Sequence, residues 1–375
     1  LLQEDGPRSL LQRAANPTKD LVSGGAALAG RLLGRAGRLG VTLWTSSEFV
    51  DLLGGPDGVG GARVLRQGAE VELRANEGVI LACGGFEGNA SLRREHLPLP
   101  TDAAWSTGLP SNAGAGILAA SRLGAPLAAM DDAWWTIVAV FAGKTYRVTK
   151  ERGRPHGIIV DRAGDRFFDE AAPAPEAGRA LYERNRRVRA IPSFLILDNR
   201  HRQRYRLGPW LPGSLPPGET DDVVRAQSLA DLAGDLRIDQ AGLLGTAVRF
   251  NGFAAKGKDA DFGRGDSAAD RVHGDPGRRK NPCLGTLERS PYWAVPVYPG
   301  DTGTKGGVLV DADARVLGAG GVPIGGLYAA GGTAASLFPR TSPGDGAALA
   351  SALVDALRAA EHLTGTRVGG ADASG

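Results

Sequence analysis

The sequence predicts an α/β protein in which a glycine-punctuated domain, contributed by both ends of the chain, is interrupted by an α+β segment of different texture. Three observations predict it. Short apolar runs that end in paired glycines stand toward both ends, at 78–86 and 327–332. The second run leads through Ser342-Pro343-Gly344-Asp345-Gly346 into an apolar-periodic helix over 347–362. Between them, residues 143–284 turn charged and proline-rich, with a polar loop over 259–278. Residues 1–142 and 285–375 are therefore assigned to one domain and 143–284 to an insertion.

Taken in order, 25–39 has an alanine-rich helical pattern and 41–44 looks like a strand. A hairpin-like unit follows, with strands at 49–53 and 62–65, a turn at Pro56-Asp57-Gly58, and a further strand at 70–74. The run at 78–86 suits a backbone that passes close to a flat or phosphorylated ligand, and it suits an ordinary strand and turn equally. Within the insertion, 157–160 and 194–197 are strand-like. Strands at 292–297, 306–310 and 327–332 precede the last helix. No internal repeat has a fixed period.

Composition narrows the function classes. A chain of 375 residues suits two domains or one large domain with an insertion, so it has a sizeable core. Hydrophobic residues at 42% and charged residues at 23% fit a soluble globular protein. The longest apolar stretch, 134–142, is far short of the roughly 20 residues of a membrane span. Net charge is +3, so the pI near 9.0 reflects arginines balanced by acids and gives no field to draw nucleic acid. Arg184, Arg186, Arg187, Arg189, Arg200, Arg202, Arg204 and Arg206 are interrupted by the apolar 191–197, which makes them a solvated face. The two cysteines, Cys83 and Cys283, lie too far apart for a CxxC metal site and fit a reducing cytoplasm. No metal is expected, since the five histidines show no i,i+4 pairing and no nucleophile motif. The chain begins Leu1-Leu2-Gln3 and its one methionine is Met130, so a fragment of a longer protein is expected.

Chemistry concentrates in the final strand–loop–helix. Pro343 and the glycines leave backbone N–H groups free at a helix N-terminus, the end that carries partial positive charge. That end can take an anion or the N1/C2=O edge of a flavin, and a plain helix cap accounts for the residues as well.

Four ordered segments resemble a known family. Ile80-Leu81-Ala82-Cys83-Gly84-Gly85-Phe86-Glu87-Gly88-Asn89 is similar to its LAxGGFxxN segment. Residues 157–170, Gly-Ile-Ile-Val-Asp-Arg-Ala-Gly-Asp-Arg-Phe-Phe-Asp-Glu, resemble GIxVNxxGxRFxNE. Residues 297–307 resemble the VxPGDLGTKGG segment of 3-ketosteroid dehydrogenases, and 326–346 resemble GLYAAGNxxAxxxGxxYPGxG. On these segments the chain is identified as a member of the FAD-dependent oxidoreductases of the fumarate reductase and succinate dehydrogenase flavoprotein kind, nearest to 3-ketosteroid Δ1-dehydrogenases. The resemblance covers about residues 24–362. It implies a Rossmann-like FAD-binding domain with an inserted α+β substrate cap. It also implies Phe49 near the adenine, Ala82, Cys83, Gly84 and Gly85 near the ADP moiety, and Gly331, Gly332 and Ser336 near the ribityl chain. Gly346, Ala347 and Leu349 would meet the flavin ring.

The chain departs from the family in two ways. No GxGxxG fingerprint follows a strand, so the FAD-binding domain is incomplete, and a preceding segment or a second polypeptide would complete the pyrophosphate site. The two tyrosines of the steroid dehydrogenases correspond to Ala174 and Ser342. Fumarate reductases carry arginine at both, and a histidine where Asp301-Thr302-Gly303 stands. Tyr298, Tyr146 and Tyr182 are candidate replacements, against the alternative that each is a packed aromatic. The leading expectation is α,β-dehydrogenation of an apolar, ketosteroid-like ketone, with hydride passing to FAD and the oxyanion held by the Gly346 N–H and Ser342. An enoate-type alkene reductase and a truncated, non-catalytic member are the competing expectations. Carboxylate recognition favours arginine, which Ala174 and Ser342 do not supply.

Overall fold

The computed structural model describes residues 24–214 and 222–366. They fall into two units, one made of described residues from 24–48 and 64–71, the other of those from 49–63 and 72–366. In the first unit, alanine and leucine at helical spacing form α1 (Gly24–Arg38), with Arg35 and Arg38 at its negative end and no buried residue. Residues 41–44 are not the expected strand. The Val41 N–H turns back to the Ala36 carbonyl at 3.0 Å and so finishes the helix, while the Arg66 guanidinium lies 4.0 Å over the Trp44 ring.

Next come β1 (Ser47–Gly55), β2 (Gly58–Arg66), β3 (Ala69–Arg74), β4 (Val79–Leu81), α2 (Ala90–His96) and α3 (Ala115–Arg122). After these the chain forms β5 (Leu127–Ala128), β6 (Ala133–Phe141), β7 (Lys144–Arg147), α4 (Thr149–Gly153) and β8 (Gly157–Val160). Then follow α5 (Ala174–Asn185), β9 (Ser193–Leu197), α6 (Asn199–Arg204), β10 (Val224–Ala226), α7 (Leu229–Leu236), α8 (Gln240–Lys256) and α9 (Ala268–His273). The last elements are β11 (Tyr292–Thr304), β12 (Gly307–Val308), β13 (Arg315–Leu317), β14 (Pro323–Ala329) and α10 (Ala347–Thr364). The expected strand at 306–310 is shortened to β12, which pairs with β5 in the register Gly307↔Ala128, Val308↔Leu127.

Two sheets carry the larger unit. The first has the order β1-β2-β14-β13, and β4 joins it by running parallel to β14 in the register Leu327↔Val79, Tyr328↔Ile80, Ala329↔Leu81. The second has the order β7-β6-β11-β9-β8, with β10 also on β11. Its β6 and β11 come from the stretches assigned to the end domain, so this sheet runs across the positions 142/143 and 284/285. Alternation explains how β8 and β9 can be buried on both faces. Ile159, Leu195 and Leu197 enter the main core, while Ile158, Val160, Phe194 and Ile196 pack with Leu232, Leu243 and Phe250 of α7 and α8.

Behind β8 lies a network of buried charge. Arg166 Nε and Nη2 each donate to Glu170 at 2.7 Å, and Nη2 also reaches Asp259 at 2.7 Å. Arg264 Nη1 donates to Glu170 at 3.2 Å and to the Gly157 carbonyl at 2.7 Å. Burial works against the Glu170 carboxylate, but the two guanidiniums outweigh it and hold its pKa below the usual range. Among the arginines of 184–206, Arg202 is buried and the rest are partly or fully exposed.

Candidate functional site

The carboxyl ends of the parallel strands β4 and β14 lie side by side, the place where open α/β sheets take ligands. Each strand ends in small residues, and there the two chains touch backbone to backbone. A Cβ on Gly332 would stand 2.8 Å from the Gly85 nitrogen, and one on Gly85 would stand 2.2 Å from Thr304 Oγ1. Gly84 has φ +78 and no room beside Asn112, so glycine is required there. The contact is pinned by Ala330 N–H donating to the Leu81 carbonyl (2.9 Å), Thr333 Oγ1 to the Gly84 carbonyl (3.0 Å) and Phe86 N–H to Thr304 Oγ1 (2.9 Å). Gly84, Gly85, Gly331 and Gly332 are thus brought together. Ala82 is exposed beside them, and Cys83 turns its sulfur toward α3, where burial raises its pKa.

Helix α10 completes this edge, with Ala352 against Gly331. Its N-cap is Gly346, at φ 89, with no side-chain cap. Ala347 leads the helix, and Leu349 is 49% exposed. Residues 342–346 are all exposed. Ser336 sits below, its N–H donating to the Lys305 carbonyl (2.9 Å) and its hydroxyl accepting from Phe338 N–H (3.2 Å). Phe49 lies on β1, half-buried against the main core.

The tyrosines go elsewhere. Tyr298 pairs with Val138 and stacks on Trp105, ring centroids 4.7 Å apart. It stands six residues before Thr304 on β11, with a break in the strand register between Asp301 and Thr304. Tyr146 packs on Phe141, and Tyr182 packs edge-on to Trp135, where burial pushes its hydroxyl pKa up. All three belong to the main hydrophobic core or pack against it. Ala174 opens α5 after Pro173. Asp301 is committed to Arg93 at 2.7 Å and to the Ser106 hydroxyl at 2.7 Å, with the Asp301 and Arg93 side chains fully buried.

Two further groups were missed in the sequence. Asp132, next to the Trp134-Trp135 pair, collects bonds from Lys305, Arg179, Arg340 N–H and Trp135 Nε1. Lys305, flanked by small residues in Gly-Thr-Lys-Gly-Gly, carried the only signal, a charge where the pattern is otherwise built for close approach. Asp169 is the other, a carboxyl standing where the family segment has asparagine; burial lifts its pKa to about 6, with Asp270 adding to the effect.

Comparison with known proteins assigns this arrangement. The family model described as FAD binding domain matches residues 4–349. The chain belongs to the FAD binding domain family. Within that family it is 39% identical over 372 residues to a 3-oxosteroid 1-dehydrogenase of Mycobacterium tuberculosis, covering 96% of this chain and 66% of that protein. It is 34% identical to a 4-oxocyclohex-2-ene-1-carboxylate 5-dehydrogenase of Sinomonas cyclohexanicum, covering 92% and 60%. A crystal structure of 3-ketosteroid delta1-dehydrogenase from Sterolibacterium denitrificans, in complex with 1,4-androstadiene-3,17-dione, superposes with a TM-score of 0.86 at 38% identity, covering 89% of this chain and 62% of the other. The chain therefore spans just under two thirds of the length of these relatives. A flavocytochrome c3 fumarate reductase at TM-score 0.63 and 23% identity shares the fold.

FAD, the family's cofactor, fits what the residues offer. The glycine pairs let the ends of β4 and β14 close on each other beside the exposed Ala82, and the uncapped N-terminus of α10 offers N–H groups and positive potential to the electron-rich edge of a flavin.

Proposed function

We propose that this chain forms the FAD- and substrate-binding part of a dehydrogenase that introduces a carbon–carbon double bond beside the carbonyl of an apolar cyclic ketone, of the 3-ketosteroid kind. The observation that carries the reading is the 39% identity to a 3-oxosteroid 1-dehydrogenase across 96% of the chain, which includes α5 and the whole 326–346 segment. When bound, FAD supplies the hydride acceptor. The chain's own residues bind and orient. Gly84, Gly85, Gly331 and Gly332 admit the dinucleotide, and Ser336, Ala347 and Leu349 border the flavin. Gly346 N–H and the Ser342 hydroxyl face the ketone oxygen and stabilise the negative charge that grows there as the α-proton leaves.

Ser342 donates to that oxygen; its hydroxyl is neutral near pH 7 and too poor a proton acceptor to be the base, so the α-proton goes to another group, and none of these residues is assigned that role. Ala174 contributes space and no proton chemistry. Phe49 is assigned to the adenine end. The alkene-reductase reading has less support, since Ala174 and Ser342 supply no cation for a carboxylate and Asp301 is spent on Arg93. Comparison gives no support for a second polypeptide. Among the described residues no helix is long and apolar enough to cross a membrane, and the free thiols of Cys83 and Cys283 accord with a cytoplasmic location.

The test is the visible spectrum of the full-length protein loaded with FAD under anaerobic conditions. Addition of a 3-ketosteroid is expected to bleach the flavin band, and 4-oxocyclohexanecarboxylate to do so less. A flavin that dithionite bleaches and neither ketone affects would remove the reading.

A further inference from the structure

Lys305 is fully buried, and its ammonium makes three hydrogen bonds, one to a carboxylate and two to backbone carbonyls. Nζ donates to Asp132 Oδ2 at 3.1 Å, to the Phe338 carbonyl at 3.0 Å and to the Thr341 carbonyl at 2.8 Å. It also lies 4.5 Å over the Trp134 ring. Burial lowers the lysine pKa, and Asp132 offsets this; burial likewise works against the Asp132 carboxylate, which Arg340 N–H and Lys305 hold below its usual range.

Asp132 Oδ2 accepts from the Arg340 N–H at 2.8 Å, and the Arg179 guanidinium reaches Asp132 at 2.9 Å and the Arg340 carbonyl at 2.6 Å. With Ser336 N–H on the Lys305 carbonyl, the segment 336–341 is gripped at five backbone groups. Arg340 within it has φ +62, a conformation an L side chain rarely adopts, and two of those bonds hold it there. The residue after Thr341 begins the exposed loop 342–346.

Placing a lysine, an aspartate and an arginine under an exposed loop costs desolvation that an apolar plug would avoid. The arrangement accomplishes something packing would not. Arg179 lies on α5, the helix that opens at Ala174, so the same cluster ties that helix to the loop that starts at Ser342. These are the two positions that correspond to the catalytic tyrosines of the steroid dehydrogenases.

We propose that Lys305, Asp132 and Arg179 are positioning residues that set the 342–346 loop against α5, holding Gly346 N–H and the Ser342 hydroxyl at the ketone oxygen. This rests on the ketone-dehydrogenase reading above for what the loop meets. For the grip itself it rests only on the contacts.

The test uses the full-length FAD-loaded protein and three variants, Lys305→Met, Arg179→Gln and the conservative Arg179→Lys. Arg179 is partly exposed, so its replacement breaks the link to α5 without stranding a fully buried charge and keeps the test open if Lys305→Met fails to fold. Amide hydrogen exchange over 336–346 is expected to quicken at least tenfold in Lys305→Met and Arg179→Gln, with exchange in β8 and β9 unchanged. With 3-ketosteroid, kcat is expected to fall ten- to a hundredfold while KM moves less than threefold, and Arg179→Lys recovers part of the loss. Unchanged exchange overturns the grip. Faster exchange with unchanged kcat overturns the positioning role. If the wild-type protein turns over no ketone, the functional reading has failed, and the proposal of a ketone-positioning device falls with it, while the exchange result still decides whether the cluster fixes the loop.

Discussion

The charge network behind β8 and the loop that enters α10 treat polar groups in opposite ways. Behind β8, Glu170 and Arg264 are fully buried, and Glu170 is answered by charged and backbone donors from β8, by Arg166 and by Arg264. At the other end, 342–346 is exposed throughout, the helix it starts has no side-chain cap, and Leu349, Leu353, Val354 and Leu357 of α10 are 44–51% exposed. The first region is closed, and its carboxylate is paired on every side, although Arg264 Nε has no partner among the described residues. The second keeps its hydrogen-bonding capacity and apolar surface open, and buried charge appears only beneath it, in Lys305 and Asp132. Paired, buried charge lies behind β8, and open hydrogen-bonding capacity lies where the cofactor is proposed to bind.

Four changes sharpen or break this contrast, in order of expected size. Glu170→Ala leaves the buried Arg264 without a carboxylate and Arg166 with Asp259 alone, and is expected to cost about 3–5 kcal/mol in urea unfolding, with FAD affinity of the folded fraction unchanged. A cost under about 1 kcal/mol would mean the network is not a stabilising centre. Gly332→Val forces a side chain against the Gly84–Gly85 backbone; a loss of about 1–3 kcal/mol and at least a tenfold weaker FAD titration by flavin fluorescence are expected. Normal FAD affinity in that variant would remove the glycine pairs from the cofactor site.

Asp169→Asn bears on pH. Because the folded-state pKa lies near 6, above the usual 3.8, the folded protein holds this proton more tightly than the unfolded chain does. The group's contribution to stability therefore falls as pH rises from about 4 to about 6 and stays lost above that. The asparagine variant is expected to be more stable than wild type at pH 7.5 by about 1 kcal/mol, after allowance for solvent screening, and equal to it near pH 4. Denaturant midpoints at the two pH values check this, and an unchanged difference between them would refute it. Ser342→Ala, at an exposed position, is expected to shift stability by less than about 0.5 kcal/mol while lowering kcat/KM for a 3-ketosteroid about three- to tenfold. An unaltered kcat/KM would take Ser342 out of the site.

Much of the architecture was legible because it depends on local chemistry. The hairpin around Pro56-Asp57, the strand 157–160 and the helix starting at residue 347 are written in turn residues and apolar period, and they stand where expected. The segment 41–44 failed for a local reason too, since apolar residues after a helix can serve its exit as readily as a strand.

By itself, then, the sequence determined the family, the α/β class and the glycine positions, because a backbone that must approach another backbone excludes every side chain and leaves that exclusion visible as paired glycines. The tertiary structure alone shows which polar residues come together. Tyr298, inside the matched 297–307 segment, stacks on Trp105. Lys305, Asp132 and Arg179, separated by up to 173 residues, converge on one loop. Such convergence has no periodicity and no spacing rule. It is set by how β6, α5 and the turn after β11 pack, and only packing reveals it.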